Sequence, residues 1–319
     1  MSESSGTATP TFAWALLGVA LLAVSSAGVV LQSMSEVPPL LRASWRMQGT
    51  ALILLPGFVY QFTRMDLGGI STRDWQVILA SSAFLAVHFG AWVWSLDHTS
   101  LIHSLLFVSM HPLVLVLLMP VIGTAVRRGH VIGVLLGITG ALLSMGDMEA
   151  GGEVTVLGDA AAFLGAVTVV GYLLAGRHLR SVRQMPIFVY AFPVTLAAGI
   201  WLALGAVSLE GVSLASTLPE ASLLGWSDAV WLPWIAYLSL GPGLCGHTGM
   251  NAVLRWITPI TVSIIMLFEP VVGGIIGWLW TGDATLGMWT ALGGPLMLAG
   301  AIMGTIEEER SKSSGDAVS

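Results

Sequence analysis

The chain has 319 residues, 55% of them hydrophobic and 9% charged, with a net charge of -6. Soluble domains carry roughly 25% charged residues, so a surface built from this composition does not face water. The single cysteine, Cys245, excludes an internal disulfide and any cysteine-built metal site.

The first eleven residues contain no Lys or Arg, so the first apolar span is expected to stay in place and not to be cleaved as a secretory signal. A helix needs about 20 apolar residues to cross a bilayer. Ten segments meet that need: 12–32, 38–60, 75–96, 99–121, 130–147, 156–178, 184–207, 230–253, 257–281 and 286–306. The expected fold class is therefore an all-α membrane protein of ten transmembrane helices. Its 38 glycines suit membrane helices that approach closely. Turn residues mark the joints, at Gly68-Gly69, Gly151-Gly152, Gly241-Pro242-Gly243 and Thr281-Gly282-Asp283. The longest hydrophilic connection is 208–229, and the charged, then small and polar stretch 307–319 reads as a disordered tail.

The twelve basic residues orient the chain. Arg64, Arg73, Arg127, Arg128, Arg177, Arg180, Arg183, Arg255, Arg310 and Lys312 all fall on one side if the spans alternate. The opposite loops hold Asp97, Asp147, Glu149, Glu153, Glu210, Glu220 and Asp228, and no Lys or Arg. The positive-inside rule then places both termini in the cytoplasm, with the cell membrane as the expected location. The remaining two, Arg42 and Arg46, lie one helical turn apart in the second span. Arg42 is near enough to the outer end to snorkel. Arg46 is deeper and needs a partner or an aqueous cavity.

Glu269 stands mid-span, followed at once by Pro270. A carboxylate there is costly unless paired, protonated or facing water, which makes it a functional candidate. Proline cannot donate to the carbonyl of Met266, so a kink is expected beside the acid. His111-Pro112 has the same form. Residues 88–112 align with 247–270 with one gap: both begin His-x-Gly, at His88/Gly90 and His247/Gly249, and both end in an ionisable residue before proline. Two halves of five spans follow, 12–147 and 156–306, and an odd number of spans inverts the second half. Inverted repeats with binding groups near the midplane are a recurrent transporter design.

These features resemble the EamA family of the drug/metabolite transporter superfamily. The resemblance rests on the ten-span plan and on Glu36-Val-Pro-Pro-Leu followed by Arg46. It rests most on Gly246-His247-Thr248 running through Asn251, Arg255 and Leu267-Phe-Glu-Pro-Val to Gly282-Asp283. It covers roughly residues 12–306 and implies a secondary carrier for amino acids, other metabolites, nucleotide sugars or drugs. The chain departs from the family pattern at Val24-Ser25-Ser26-Ala27-Gly28 and at His130, so pocket roles do not carry across there.

Each candidate has a functional and a plain reading. Glu269 binds a cationic group or exchanges a proton, or is hydrogen-bonded to a neighbouring helix. His111 would assist it, histidine changing charge near neutral pH, with Ser104 on the same face and His103 beside it. His88, Trp92 and Ser95 form an i, i+4, i+7 stripe that suits a cavity wall or interhelical packing. His247 and Asn251 repeat the i, i+4 pair. Arg46 receives an anionic group, or forms a salt bridge with Glu36 or Glu269. Pro112, Pro270, Gly241 and Pro242 are the candidate hinges.

The function expected is secondary active transport of a small polar or amphipathic metabolite, amino-acid-like or drug-like. It would work by alternating access, with Glu269 coupling the cycle to protons. The partners are that solute, protons and the lipid bilayer, with no nucleic acid, in a monomer or homodimer. A channel or a non-transporting receptor is the alternative. An enzyme is disfavoured by the lack of His-Glu-x-x-His and Gly-x-Ser-x-Gly motifs. No cofactor is expected: there is no phosphate-binding loop, and Lys312 is the only lysine.

Overall fold

The computed structural model describes residues 9–65, 69–121, 123, 125–144, 146, 155–214, 216–282 and 287–313. Gly68, Asp147, Glu149, Gly151, Gly152, Glu153, Asp283 and the terminal residues 1–8 and 314–319 lie outside the described residues. Each of the ten apolar segments is helical. Helices α1 (Thr11–Gln32), α2 (Pro39–Phe62) and α3 (Thr72–Ser95) are followed by the pair α4 (Leu101–Val108) and α5 (His111–Leu118), then α6 (Arg128–Ser144). The second half has α7 (Val156–Arg177), α8 (Ile187–Leu209), α9 (Leu232–Leu238), α10 (Gly249–Val253), α11 (Pro259–Met266), α12 (Glu269–Thr281) and α13 (Met288–Ser313). Among the described residues, five helical spans are long and apolar enough to cross a membrane by length and composition: Thr11–Gln32, Thr72–Ser95, Leu101–Leu118, Val156–Val182 and Ile187–Leu209.

Local chemistry sets the boundaries. Ser71 caps α3 by accepting from Asp74 N at 3.2 Å, while the Asp74 carboxylate accepts from Ser71 N at 2.8 Å, a capping box. Gly282 ends α12 with φ 74°, a left-handed turn that glycine adopts without strain. Two proline breaks divide the central spans. α5 begins at His111 and α12 at Glu269, each with proline in the first helical turn, where its missing N–H is no loss. Between α9 and α10 the helix widens into a π turn over Ser239–Thr248 with Pro242 inside it. The sequence marks Gly241-Pro242-Gly243 as a joint with turn chemistry; the structure instead keeps this segment helical, inside one span. Proline removes one i→i−4 bond, and the wide turn accommodates the break.

Two further expectations are corrected. Arg42 does not snorkel: it is fully buried, because its guanidinium pairs with Asp97 and donates to Leu31 O at 2.6 Å. α13 runs on to Ser313, into the stretch expected as a disordered tail. Glu307 lies 3.9 Å from Arg127, and the residues beyond it are good helix formers. The 208–229 connection is held by its own hydrogen bonds and by the bundle. Ser213 N donates to Ala221 O at 3.0 Å and Leu223 N to Ser213 O at 2.9 Å. Trp45 Nε1 on α2 donates to Ser222 O at 3.1 Å, which ties the loop to the bundle.

The packing is reciprocal between the halves. α1 packs on α12 and on the π turn, as α7 packs on α5 and α3. α2 lies on α8, α6 on α13, α4 on α12 and α5 on α11. Both ends of the bundle are tied. At one end, Thr155 Oγ1 donates to His98 O, and Thr99 Oγ1 donates to Asp159 Oδ1 at 2.7 Å. At the other, Arg183 grips the Asp74 carboxylate through Nε at 3.0 Å and Nη2 at 2.9 Å, and Arg177 donates to Leu254 O at 2.6 Å.

Candidate functional site

A cavity of about 40 Å³ lies where the two halves meet, with room for about three waters. Its polar lining is Arg46 from α2, His88 and Trp92 from α3, His111 from α5, His247 from the π turn and Glu269 from α12. Valines, alanines and methionines of α1, α7, α10 and α11 complete the wall. The structure thus gathers six of the seven sequence-selected binding candidates around one space.

The two charged groups carry the most information. Arg46 is fully buried, with its guanidinium carbon 4.3 Å from the centroid of the Phe89 ring. That stacking fixes the plane of the fork. None of its three side-chain nitrogens has a hydrogen-bond partner. Glu269 lines the same cavity and does not ion-pair with it; Glu36 is exposed at the end of the bundle. Glu269 is the first residue of α12, so the positive end of the helix dipole supports its carboxylate. His111 holds the corresponding place at the start of α5.

Aromatic rings close around the arginine. His88 and Trp92 stack at 6.3 Å, His247 lies 4.9 Å from Phe89 and 5.9 Å from His88, and Tyr172 is 6.2 Å from His247. His88 Nδ1 is 2.9 Å from Gly165 O, which assigns the proton to Nδ1 and leaves Nε2 as an acceptor. Trp92 Nε1, His111 Nδ1 and His247 Nδ1 are buried without partners. Buried polar groups are normally satisfied, so this concentration of unpartnered donors and acceptors sets the cavity apart from the rest of the bundle.

Four residues sit elsewhere than the stripes implied. Asn251 turns its amide to Tyr172 Oη and to His247 O at 3.0 Å, one layer behind the cavity. The π turn before it rotates it away from the regular i, i+4 register. Ser95 and Ser104 bond each other at 2.6 Å and are fully buried. His103 points to Asp159, with Nδ1 at 3.2 Å from Oδ2. Of the hinge candidates, Pro112 and Pro270 stand at the two helix breaks, and Gly241 and Pro242 lie inside the π turn. Tyr172 was missed: a single hydroxyl within an apolar span gives little signal until its neighbours are known. Among the described residues no three His, Cys, Asp or Glu side chains group as a metal site.

The sequence model of the EamA-like transporter family matches residues 11–146. A solved crystal structure of a protein aligns with 94% of this chain and 98% of its own, at a TM-score of 0.67 and 20% identity. That likeness concerns the fold alone. No curated protein matches the chain.

Proposed function

Because residues 11–146 match the sequence model of the EamA-like transporter family, of the drug/metabolite transporter superfamily, we propose that this membrane protein is a secondary active transporter of a small zwitterionic, amino-acid-like metabolite. The observation that carries the reading is the pair Arg46 and Glu269, opposite charges on one small cavity with no bond between them. A carboxylate takes the guanidinium fork, and an ammonium group takes Glu269. His88 Nε2 and Trp92 Nε1 are placed for the solute's remaining polar atoms.

The ten helical segments are read as two inverted five-span repeats, 12–147 and 156–306, with both termini in the cytoplasm of a cell. Reciprocal packing supports the repeat, and the one-sided distribution of arginines supports the orientation. At about 40 Å³ the cavity is far below the roughly 300 Å³ at which ligand pockets begin, so it is read as the occluded step of alternating access. The breaks before His111 and Glu269, with the π turn at Gly241 and Pro242, are the hinges. Glu269 exchanges a proton for the substrate's ammonium group in each cycle, and His111 assists.

Reconstituted protein tests this. Candidate metabolites that raise the melting temperature are offered to proteoliposomes under an imposed proton gradient. Wild type accumulates the hit uphill, and Glu269→Gln only equilibrates it. A Glu269→Gln protein that still concentrates substrate with proton uptake overturns the coupling role.

A further inference from the structure

A second hollow lies on the outside of the bundle, separate from the central cavity. It is a groove of about 700 Å³ between α2, α3, α7 and α8. Its floor is apolar, including Ala86, Gly90, Ala91 and Gly205. Both Leu164 and Trp201 on its rim are exposed, as expected of side chains that meet lipid.

Its length and polarity are specific. From Ala86 to Asp97 the groove follows eleven residues of α3 and the turn after it, about 16 Å at 1.5 Å per residue. One leaflet of a bilayer's hydrocarbon core is about 15 Å thick. The groove therefore starts near mid-membrane and ends at the interface. Only at that end does it become polar, with Asp97, His98 and Glu210. A hollow of this size at lipid depth is not left empty, and an apolar floor does not retain water.

The charges at the mouth do not balance. Asp97 is neutralised by Arg42, which is buried behind it. His98 stacks on Trp94 at 3.5 Å, and its Nδ1 is 2.8 Å from Trp94 O. Glu210 accepts from Leu40 N at 2.7 Å and Leu41 N at 3.1 Å, but no cation among the described residues pairs with it. One acidic charge thus faces the mouth of a leaflet-long apolar groove.

We propose that this groove is a site for one membrane lipid with a primary ammonium headgroup, phosphatidylethanolamine. Its acyl chain fills the groove, and its ammonium group sits at Glu210 and Asp97. Hydrogen-bond donation distinguishes this headgroup from a quaternary one: an ammonium donates to a carboxylate, and trimethylammonium does not. Phosphatidylglycerol presents only negative charge to the mouth. The site requires that the chain lie in a bilayer and is independent of what it transports.

Native mass spectrometry of the purified, delipidated protein with added lipids tests the site. One phosphatidylethanolamine is retained ahead of phosphatidylcholine, with phosphatidylglycerol last. Glu210→Gln weakens that retention about tenfold, the loss of one charge-assisted hydrogen bond. Gly205→Leu and Ala91→Leu each fill the groove and abolish the preference. If neither folds, the headgroup ranking on wild type decides alone. Equal retention of the three lipids, a preference for phosphatidylglycerol, or full retention in a folded groove-filling variant overturns the proposal.

Discussion

Arg46 and Glu269 line the same cavity and do not touch: the guanidinium stacks on Phe89 with all three nitrogens free, and the carboxylate starts α12 on the far side of the repeat. A buried cation without hydrogen bonds is expensive, and the proposed binding role would offset that cost only when substrate is present. Stability and binding should therefore separate at this position.

Arg46→Met keeps the length of the side chain and removes the charge. It is expected to stabilise the ligand-free protein by about 1–3 kcal/mol, the typical cost of an unsatisfied buried polar group. The same change abolishes the thermal shift given by substrate. Melting curves with and without ligand measure both. A variant that melts lower and still responds to ligand shows that Arg46 is a structural residue.

How far the sequence showed this site depends on the kind of signal. Glu269-Pro270 and His111-Pro112 combine a rare group at mid-span with a helix breaker, and both lie at observed breaks. His88 and Trp92 were visible because i, i+4 spacing holds along a regular helix, and α3 is regular. Asn251 was misplaced because the π turn breaks that periodicity. Arg42 was misjudged because its partner Asp97 comes from another helix end, and pairing across 55 positions leaves no mark in the sequence. The packing of the two halves was partly legible from the glycines, since small residues mark close approach without naming the partner.

The tie between α4 and α7 gives a second expectation. Asp159 accepts from Thr99 Oγ1 at 2.7 Å and meets His103 Nδ1 at 3.2 Å, with all three side chains buried. Asp159→Ala leaves two polar groups without a partner, which costs about 1–3 kcal/mol each. Lower stability in denaturant or heat is expected, with opening at this end of the bundle first. Thiol labelling of Leu106→Cys in a Cys245→Ser background reads the opening, since Leu106 is buried two residues before the break. Unchanged labelling in the Asp159→Ala protein removes the latch role.

Contact between α6 and α13 depends on two glycines. A Cβ on Gly140 would strike the carbonyl of Gly293, and one on Gly300 would strike the carbonyl of Gly133 and lie 3.0 Å from Gly137 N. These obstacles are backbone and cannot rotate away. Gly140→Leu and Gly300→Leu should each cost about 1–3 kcal/mol through overpacking, or more where the helices are forced apart. Gly137 serves as the control, because a Cβ there meets open space. Gly137→Leu should leave the melting temperature within a degree or two of wild type. Equal losses at all three positions would point to a general intolerance of α6 and α13 and not to close contact.

Glu210 offers a test by pH. It follows α8 directly and accepts the N–H groups of Leu40 and Leu41 at the start of α2, where the helix dipole favours an anion. Burial pushes its pKa above the ordinary carboxylate value, against the opposing pull of those two N–H groups and of Arg42, while Asp97 adds to the rise. A carboxyl raised on folding binds its proton more tightly in the folded state. Its contribution to stability is present below the unfolded pKa and is lost as pH rises through the folded one. Glu210→Gln does not titrate. The melting temperature of wild type minus that of Glu210→Gln should therefore fall as pH rises from 4 and level off once the carboxyl is fully ionised. Differential scanning fluorimetry of both proteins across that range measures the slope. A difference that grows with pH would mean that the N–H groups and Arg42 outweigh burial, and that Glu210 holds α2 mainly as an ionised cap.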